Sequence, residues 1–265
     1  MKVLFIGDVV GRPGRRAVRE HLERVVDRRR VDFTIINVEN AADGNGITPE
    51  IAEELFDLGA HCLTSGNHIW DRPEIRDYMK HEPRLLRPLN YPDDLPGSGV
   101  YIGETPAGAR VGVVNVMGRV FMPPVDDPFR PARASVEELI KRTPIVIVDM
   151  HAEATSEKQA IAAHLDGLAS AVVGTHTHVQ TADETILPQG TAYISDVGMT
   201  GPYDSIIGMD RHAALQRFLY SVPGRLPAAR HGVRLCAVLL EIDDASGRAR
   251  SIERLSLDGD GRPDA

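Results

Sequence analysis

The segment KVLFIGD, residues 2–8, is a short apolar run that stops at a glycine and an acid. Four later apolar runs also stop at residues that carry oxygen or nitrogen donors. They end at residues 39–40 (Glu-Asn), 66–68 (Gly-Asn-His), 149–151 (Asp-Met-His) and 174–178 (Gly-Thr-His-Thr-His). Because open α/β sheets carry their chemistry just outside the carboxyl ends of the strands, these ends are predicted to form one site.

The first half of the chain alternates strand-like with helix-like segments. After the first strand, residues 15–30 carry apolar side chains at helical spacing, and Gly11, Pro13 and Gly14 are placed in the turn before that helix. Residues 33–38 then form a second buried strand. This order predicts a mainly parallel central sheet.

The middle of the chain changes character, because short strands alternate there with turns rich in proline and glycine. These strands are placed at residues 89–90, 100–103 and 110–116, a pattern typical of antiparallel pairing. Residues 122–133 are rich in proline and are predicted to form a loop, followed by a helix at 135–142.

The tail is predicted to be a hairpin of residues 233–242 with 250–257. No internal repeat or convincing linker interrupts the alternation. A single domain over residues 1–265 is therefore expected.

The composition is ordinary for a globular protein, with 42% hydrophobic and 26% charged residues. The formal net charge of -8 means that no overall basic field attracts nucleic acid. No signal peptide and no apolar run of membrane-spanning length is visible, so the cytoplasm is the expected location.

The donors at the strand ends combine carboxylates, amides and imidazoles. They are Asp8, Glu39, Asn40, Asn67, His151, His176 and His178. Mixed nitrogen and oxygen sets suit Mn, Fe, Zn or Co rather than Ca or Mg. Seven side chains are too many for one tetrahedral ion but suit two ions that share a bridging carboxylate. Because only two are anionic, two divalent ions would leave a positive site that favours hydroxide and phosphate.

Two further segments allow alternative interpretations. The loop at 198–203 could offer backbone N–H groups or the Thr200 hydroxyl to a phosphate, with Gly201 beside it, but an ordinary turn explains it equally well. Arg12, Arg15 and Arg16 could hold a phosphate or nucleotide at a helix start, although a solvated helix face is the more common arrangement.

The blocks at 66–68 and 174–178 resemble the Gly-Asn-His and Gly-His-x-His blocks of calcineurin-like metallophosphoesterases. One branch, the bacterial YmdB-type phosphodiesterases, is more similar. Its blocks match residues 7–15, 37–41, 66–70, 149–158 and 198–202, in family order over nearly the whole chain. The usual Asp-x-His block reads Asp8-Val9-Val10 here, and Glu39-Asn40 replaces the usual Gly-Asp block. The branch shares both changes, which suggests that Asn40 replaces the absent histidine.

The resemblance implies a four-layer αββα sandwich, an α/β fold of two mixed β-sheets flanked by helices. The antiparallel middle and the C-terminal hairpin are expected in its second sheet. By position, Glu39 would bridge two divalent or trivalent transition-metal ions, with Fe or Mn favoured over Zn. The remaining ligands would divide into two sets: Asp8, Asn40 and His178, and Asn67, His151 and His176.

The resemblance also implies the activity, which is hydrolysis of 2′,3′- or 3′,5′-cyclic nucleotides. A metal-bridging hydroxide would attack, and His68 would protonate the leaving alkoxide as general acid. His68 could instead orient Asn67 or an acidic neighbour. A general phosphatase or nuclease would use the same metal core, and a regulatory or scaffold protein could retain it. The family tends to associate, so a homo-oligomer is expected.

Overall fold

The computed structural model describes residues 1–259, whose strands form two six-stranded sheets. The strands are β1 (Lys2–Ile6), β2 (Phe33–Asn37), β3 (Cys62–Thr64), β4 (Val100–Glu104), β5 (Arg110–Met117), β6 (Val146–His151), β7 (Ala171–Thr175), β8 (Thr185–Ile186), β9 (Ala192–Ile194), β10 (Gly201–Pro202), β11 (Val233–Ile242) and β12 (Ala249–Asp258). The helices are α1 (Gly11–Arg29), α2 (Pro49–Asp57), α3 (Ile75–Tyr78), α4 (Phe129–Leu139), α5 (Thr155–His164) and α6 (Arg211–Tyr220).

Both sheets are mixed. In the first sheet, β1, β2 and β3 are parallel. Strand β11 pairs antiparallel with β1, and β10 and β12 each pair antiparallel with β11. In the second sheet, β5, β6, β7 and β9 are parallel, with β4 and β8 antiparallel at the two edges. The predicted α/β sandwich with two mixed sheets is confirmed.

Three apolar clusters hold the four layers together. Val3 and Phe5 of β1 belong to the middle cluster, which contains Ile147 and other side chains of the second sheet. Leu4 and Ile6 point to the opposite face and pack with α1 and α2. A third cluster joins α4 and α5 to the outer face of the second sheet. Because both faces of β1 are covered by apolar clusters, its sequence is a nearly continuous run of apolar residues.

Two helices begin earlier than predicted. Helix α1 begins at Gly11 rather than Arg15, with Pro13 inside its first turn. Helix α4 begins at Phe129, so the loop predicted for 122–133 is wrong in its last residues. Proline lacks a backbone N–H, but the first N–H groups of a helix have no intrahelical partner, so a proline in the first turn breaks no helical bond.

Two strand predictions are also wrong. Residues 89–90 form a turn, and Leu86 makes an isolated bridge to Ser98 instead. The C-terminal hairpin lies in the first sheet, where Val238 of β11 pairs with Phe5 of β1. Side chains of β11 enter both the middle cluster and the cluster under α1, so their apolar pattern does not distinguish between the two sheets.

No helix within residues 1–259 is both long and apolar enough to cross a membrane.

Candidate metal centre

The predicted donors lie at the carboxyl ends of strands from both sheets. Asp8 follows β1, Glu39 and Asn40 follow β2, and Asn67 follows β3. The second sheet contributes the three histidines, from the ends of β6 and β7. They are His151, His176 and His178. The two sheets therefore meet along one polar edge, as the strand-end pattern predicts.

Three side chains converge around Glu39: His151, Asn67 and His176. The Nε2 atom of His151 lies 2.9 Å from Glu39 Oε2 and 3.2 Å from Asn67 Oδ1. The Nδ1 atom of His176 lies 3.1 Å from His151 Nε2 and 3.9 Å from Glu39 Oε1. One donor atom from each of Glu39, His151 and His176 fits within 4.8 Å of the other two, as a group holding one metal ion requires.

A second group adjoins the first. His178 Nε2 lies 3.2 Å from Asn40 Oδ1 and 3.8 Å from Asp8 Oδ1. The same Asp8 oxygen lies 4.0 Å from His151 Nδ1, so Asp8 connects the two groups. The Asn40 amide nitrogen donates to the carbonyl of Gly44 at 2.9 Å, which turns Oδ1 toward His178.

A buried network fixes the orientation of His151. The Thr175 hydroxyl donates to Asp149 Oδ1 at 2.8 Å, so it accepts a hydrogen bond from His151 Nδ1 at 2.9 Å. Asp149 also accepts from the Thr64 hydroxyl and from the Asn37 amide. The lone pair of His151 Nε2 is therefore directed at Glu39 and Asn67.

This hydrogen-bond network was not predicted from the sequence, although the sequence contains a pattern that indicates it. Asn37, Thr64, Asp149 and Thr175 are polar residues inside or at the ends of strands that are otherwise apolar and buried. A buried polar side chain in such a strand needs a hydrogen-bond partner. Four of them at neighbouring strand ends therefore predict that they bond to one another.

The segment that carries the two later histidines has an unusual backbone. His176 and His178 have positive φ angles of 94° and 65°, a conformation that costs about 1–3 kcal/mol for each residue. Thr177 between them is tied down through its N–H and its hydroxyl, which donate to Asp196 Oδ2 at 2.9 and 2.6 Å. Lys158 Nζ donates to the same oxygen at 3.0 Å. The buried ion pair of Lys158 and Asp196 therefore stabilises the strained segment. It was not predicted from the sequence.

The charges of the site make it suited to a cation. Burial raises the pKa of Asp8 to about 8, and the charges of Asp196 and Glu39 add to that effect. Burial also lowers the pKa of His151 to about 4, which keeps this imidazole neutral. The pKa values of His176 and Glu39 shift in opposite directions. Burial works to lower the pKa of His176, but its hydrogen bond to Glu39 and the charges of Glu39 and Asp8 outweigh burial, so this pKa rises. Burial works to raise the pKa of Glu39, but His151 and His176 outweigh it and the pKa falls. The site therefore holds buried carboxyl groups beside the neutral imidazole of His151, donors of the kind that transition metals take.

Gly66 leaves the space that this arrangement needs. A Cβ atom at that position would lie 2.0 Å from Glu39 Oε2 and 2.1 Å from His151 Cδ2. The close approach of backbone to the ligand group therefore requires glycine in the block at 66–68.

His68 lies at the margin of the cluster and is half-buried. Its Nδ1 is 2.8 Å from Asp71 Oδ2, and its backbone N–H donates to Glu39 Oε2 at 3.4 Å. The aspartate orients the ring and leaves Nε2 as the atom available for other work.

The hydroxyl and the N–H of Thr200 are both engaged by the protein's own backbone. Thr200 is fully buried, its hydroxyl bonds to the backbone of Cys236, and its N–H donates to the carbonyl of Asp8 at 2.8 Å. Gly201 is buried in β10 opposite Arg234. The physical reason is that this segment joins the first sheet and fixes the backbone of Asp8.

Comparison with known proteins finds relatives that match nearly the whole chain. The protein is 50% identical over 261 residues to the 2′,3′-cyclic-nucleotide 2′-phosphodiesterase of Bacillus subtilis (strain 168), and the match covers 98% of each chain. A hypothetical protein from Thermus thermophilus has a crystal structure with a TM-score of 0.91, 46% identity and coverage of 97% of this chain and 99% of the other. A novel phosphatase from Mycoplasma pneumoniae has a TM-score of 0.90, 32% identity and coverage of 97% and 93%.

A model of the YmdB-like protein family matches residues 4–255. The names of two of these relatives, a phosphodiesterase and a phosphatase, agree with the predicted class of hydrolase. The extent of the family match and the identity to the Bacillus relative decide the assignment. The chain belongs to the YmdB-like family.

Proposed function

We propose that this protein is a metal-dependent phosphodiesterase that acts on cyclic nucleotides, with 2′,3′-cyclic nucleotides favoured. The observation that carries the proposal is the convergence of Glu39, His151 and His176, with donor atoms within 4.8 Å of one another. The named activity of the Bacillus subtilis relative, at 50% identity over 98% of both chains, supports the substrate class.

We assign the metal-binding role to two groups that share Glu39. Asn67, His151 and His176 form one group, and the other consists of Asp8, Asn40 and His178. Two transition-metal ions held there, Fe or Mn by the mixture of donors, would supply Lewis-acid charge for a phosphate and for an attacking water. The protein holds the imidazoles in one tautomer and keeps the carboxylates directed at the same space.

His68 is proposed as the group that gives a proton to the leaving oxygen. Asp71 accepts from Nδ1, which leaves Nε2 as the ring atom that can carry a proton to the leaving oxygen. His68 follows Asn67 in the sequence, so its ring lies at the edge of the ligand group and not among the ligands. A general acid needs such a position, because it must contact the substrate.

Replacing His68 with alanine tests that assignment. We expect turnover of a cyclic nucleotide, whose leaving group is an alkoxide, to fall by about 10²–10⁴ because general acid catalysis is lost. Turnover of bis-p-nitrophenyl phosphate should fall far less, since p-nitrophenolate leaves without a proton. The measurement is kcat for both substrates with metal content determined in parallel. Asp71→Asn is the matched variant, and it should show the same dependence on leaving group in weaker form.

An equal loss on both substrates, with both metals retained, would contradict the acid role of His68. It would instead indicate that the ring positions Glu39 or Asn67.

A hydrolysis panel tests the proposed function itself. Metal-loaded protein is expected to cleave 2′,3′-cyclic nucleotides and, more slowly, 3′,5′-cyclic nucleotides. Chelation should abolish turnover, and addition of Mn or Fe should restore it, because the ligand group has no other source of Lewis-acid charge. Protein that binds metal but hydrolyses no phosphodiester would overturn the proposal in favour of a regulatory binding protein.

Three further expectations stay predictions. They are a single domain over residues 1–265, a cytoplasmic location and assembly into a homo-oligomer. Exposed apolar side chains on α6, among them Phe218 and Leu219 at 77% and 69% exposure, are consistent with a contact surface.

A further inference from the structure

A cleft of about 550 Å³ adjoins the start of α1. Arg12 and Arg16 line it from α1, Arg225 and Arg230 line it from the segment after α6, and Asp43 contributes one carboxylate. The chain as a whole has a formal net charge of -8. Four guanidinium groups around one cleft therefore reverse the sign of the charge locally.

Within the described part of the chain, three of these four guanidinium groups have no carboxylate partner. Arg16 forms an ion pair with Glu20 at 3.6 Å, whereas Arg12, Arg225 and Arg230 make no ion pair or side-chain hydrogen bond within residues 1–259. Nearby Arg211 does have such a partner, Asp204 at 2.6 Å. Converging like charges repel one another, and an anion between them removes that repulsion. Arginine forks match phosphate oxygens in particular.

The end of α1 adds to the positive potential. Its N-cap residue, Val10, provides no side-chain hydrogen bond, and its first turn contains no acidic residue. The positive end of the helix dipole is therefore not neutralised by the protein itself beside Arg12 and Arg16.

Backbone hydrogen bonds connect the walls of the cleft to segments that carry the candidate metal ligands. Gly11 N–H donates to the carbonyl of Asn40 at 2.8 Å, and Asp43 belongs to the turn that Asn40 begins. On the other wall, Ala229 N–H donates to Gly208 at 2.8 Å, one residue from Ile207, whose carbonyl lies 2.8 Å from His178 Nδ1. The cleft thus lies next to the half of the centre formed by Asn40 and His178.

We propose that this cleft binds a second phosphate group of the substrate, in addition to the phosphodiester that is cleaved. In a nucleotide with a 2′,3′-cyclic phosphate, the next phosphate is attached to the 5′ carbon. It is either a free 5′-phosphate or the link to a preceding nucleotide at the end of an oligonucleotide. This inference rests on the proposed function for the cyclic end of the substrate.

Three substrates of the metal-loaded full chain test the proposal. They are adenosine 2′,3′-cyclic phosphate, the same compound with a 5′-phosphate, and a dinucleotide that ends in a 2′,3′-cyclic phosphate. The added phosphate is expected to raise kcat/KM about tenfold, mainly through KM, because it gains charge-assisted hydrogen bonds. A larger gain for the mononucleotide indicates a free 5′-phosphate as the ligand, and a larger gain for the dinucleotide indicates an oligonucleotide end.

The double variant Arg225→Gln with Arg230→Gln should bring the ratio of kcat/KM with and without the 5′-phosphate back toward one. Arg130→Gln is the matched control, since it removes one charge from an exposed arginine on α4, in the opposite outer layer. That control should retain the ratio of the unmodified protein. A ratio near one in the unmodified protein, or a ratio that the double variant leaves intact, would overturn the proposal.

Binding of 5′-AMP by titration calorimetry separates the cleft from the catalytic proposal. The double variant is expected to bind 5′-AMP about tenfold more weakly than the unmodified protein and the Arg130→Gln control. This measurement needs no turnover, so the cleft is tested even if no cyclic nucleotide is hydrolysed. Equal affinity in all three proteins would refute the role of the cleft.

Discussion

Replacing Glu39 with glutamine is expected to lower kcat/KM for a phosphodiester by about a thousandfold, roughly 4 kcal/mol of transition-state stabilisation, and to weaken metal binding. The Glu39 carboxylate is 1% exposed, and its oxygens lie 2.9 Å from His151 and 3.9 Å from His176. Glutamine has nearly the same shape but no charge. The site would then keep Asp8 as its remaining anion among the seven proposed ligands.

The comparison is made with bis-p-nitrophenyl phosphate as substrate and with metal content measured by elemental analysis. Glu153→Gln is a suitable control, because Glu153 lies 3.3 Å from His176 Nε2 but is half exposed at the margin of the site. We expect that control to lose less than about tenfold, as exposed ion pairs contribute little. A Glu39→Gln protein with full metal content and full rate would show that the carboxylate does not bridge.

Replacing Gly66 with alanine is the second change with a large expected effect, although glycine has no functional group. The new methyl group would lie 2.0 Å from Glu39 Oε2 and 2.1 Å from His151 Cδ2, so both side chains must move. Displacement of reacting groups by about 1 Å can cost about a hundredfold in rate. We expect at least that loss in kcat/KM, together with weaker metal binding.

Gly224→Ala is the matched control for Gly66→Ala. A Cβ atom on Gly224 meets no other atom within 4 Å, so its activity and melting temperature should stay close to those of the unmodified protein. Thermal melting also shows whether the Gly66 variant is folded. If folded Gly66→Ala protein retained metal and rate, the close packing of Gly66 against the ligand group would have no functional role.

The positions of the candidate ligands could be predicted because each lies at the end of a local signal. An apolar run such as residues 2–6 identifies a strand, and the donor that follows it lies at the carboxyl end whatever the order of strands in the sheet. The family and the α/β sandwich followed from the same blocks, and both are confirmed. The metal-binding roles of these residues stay predictions.

The parts that could not be predicted depend on contacts between distant residues. The pairing of Phe5 with Val238 is a contact over more than two hundred residues, and no local pattern in β11 specifies it. Thr200 seemed free in a loop rich in small residues, but its partners, Cys236 and Asp8, lie far away in the sequence. The early start of α1 was missed because Pro13 and its neighbouring glycines are typical of turns as well as of first helical turns.

The place of β11 has a consequence for how the protein is made. During synthesis, β1 emerges first, but its antiparallel neighbour emerges only after residue 233. Until then, one edge of β1 has unpaired backbone groups, and the apolar faces of the first sheet lack the side chains of β11. The nascent chain therefore reaches its last proposed ligand, His178, before its first sheet can close. Translation that terminates prematurely between residues 178 and 233 would release a chain that has every proposed ligand but an open sheet edge, and such a chain is prone to aggregation.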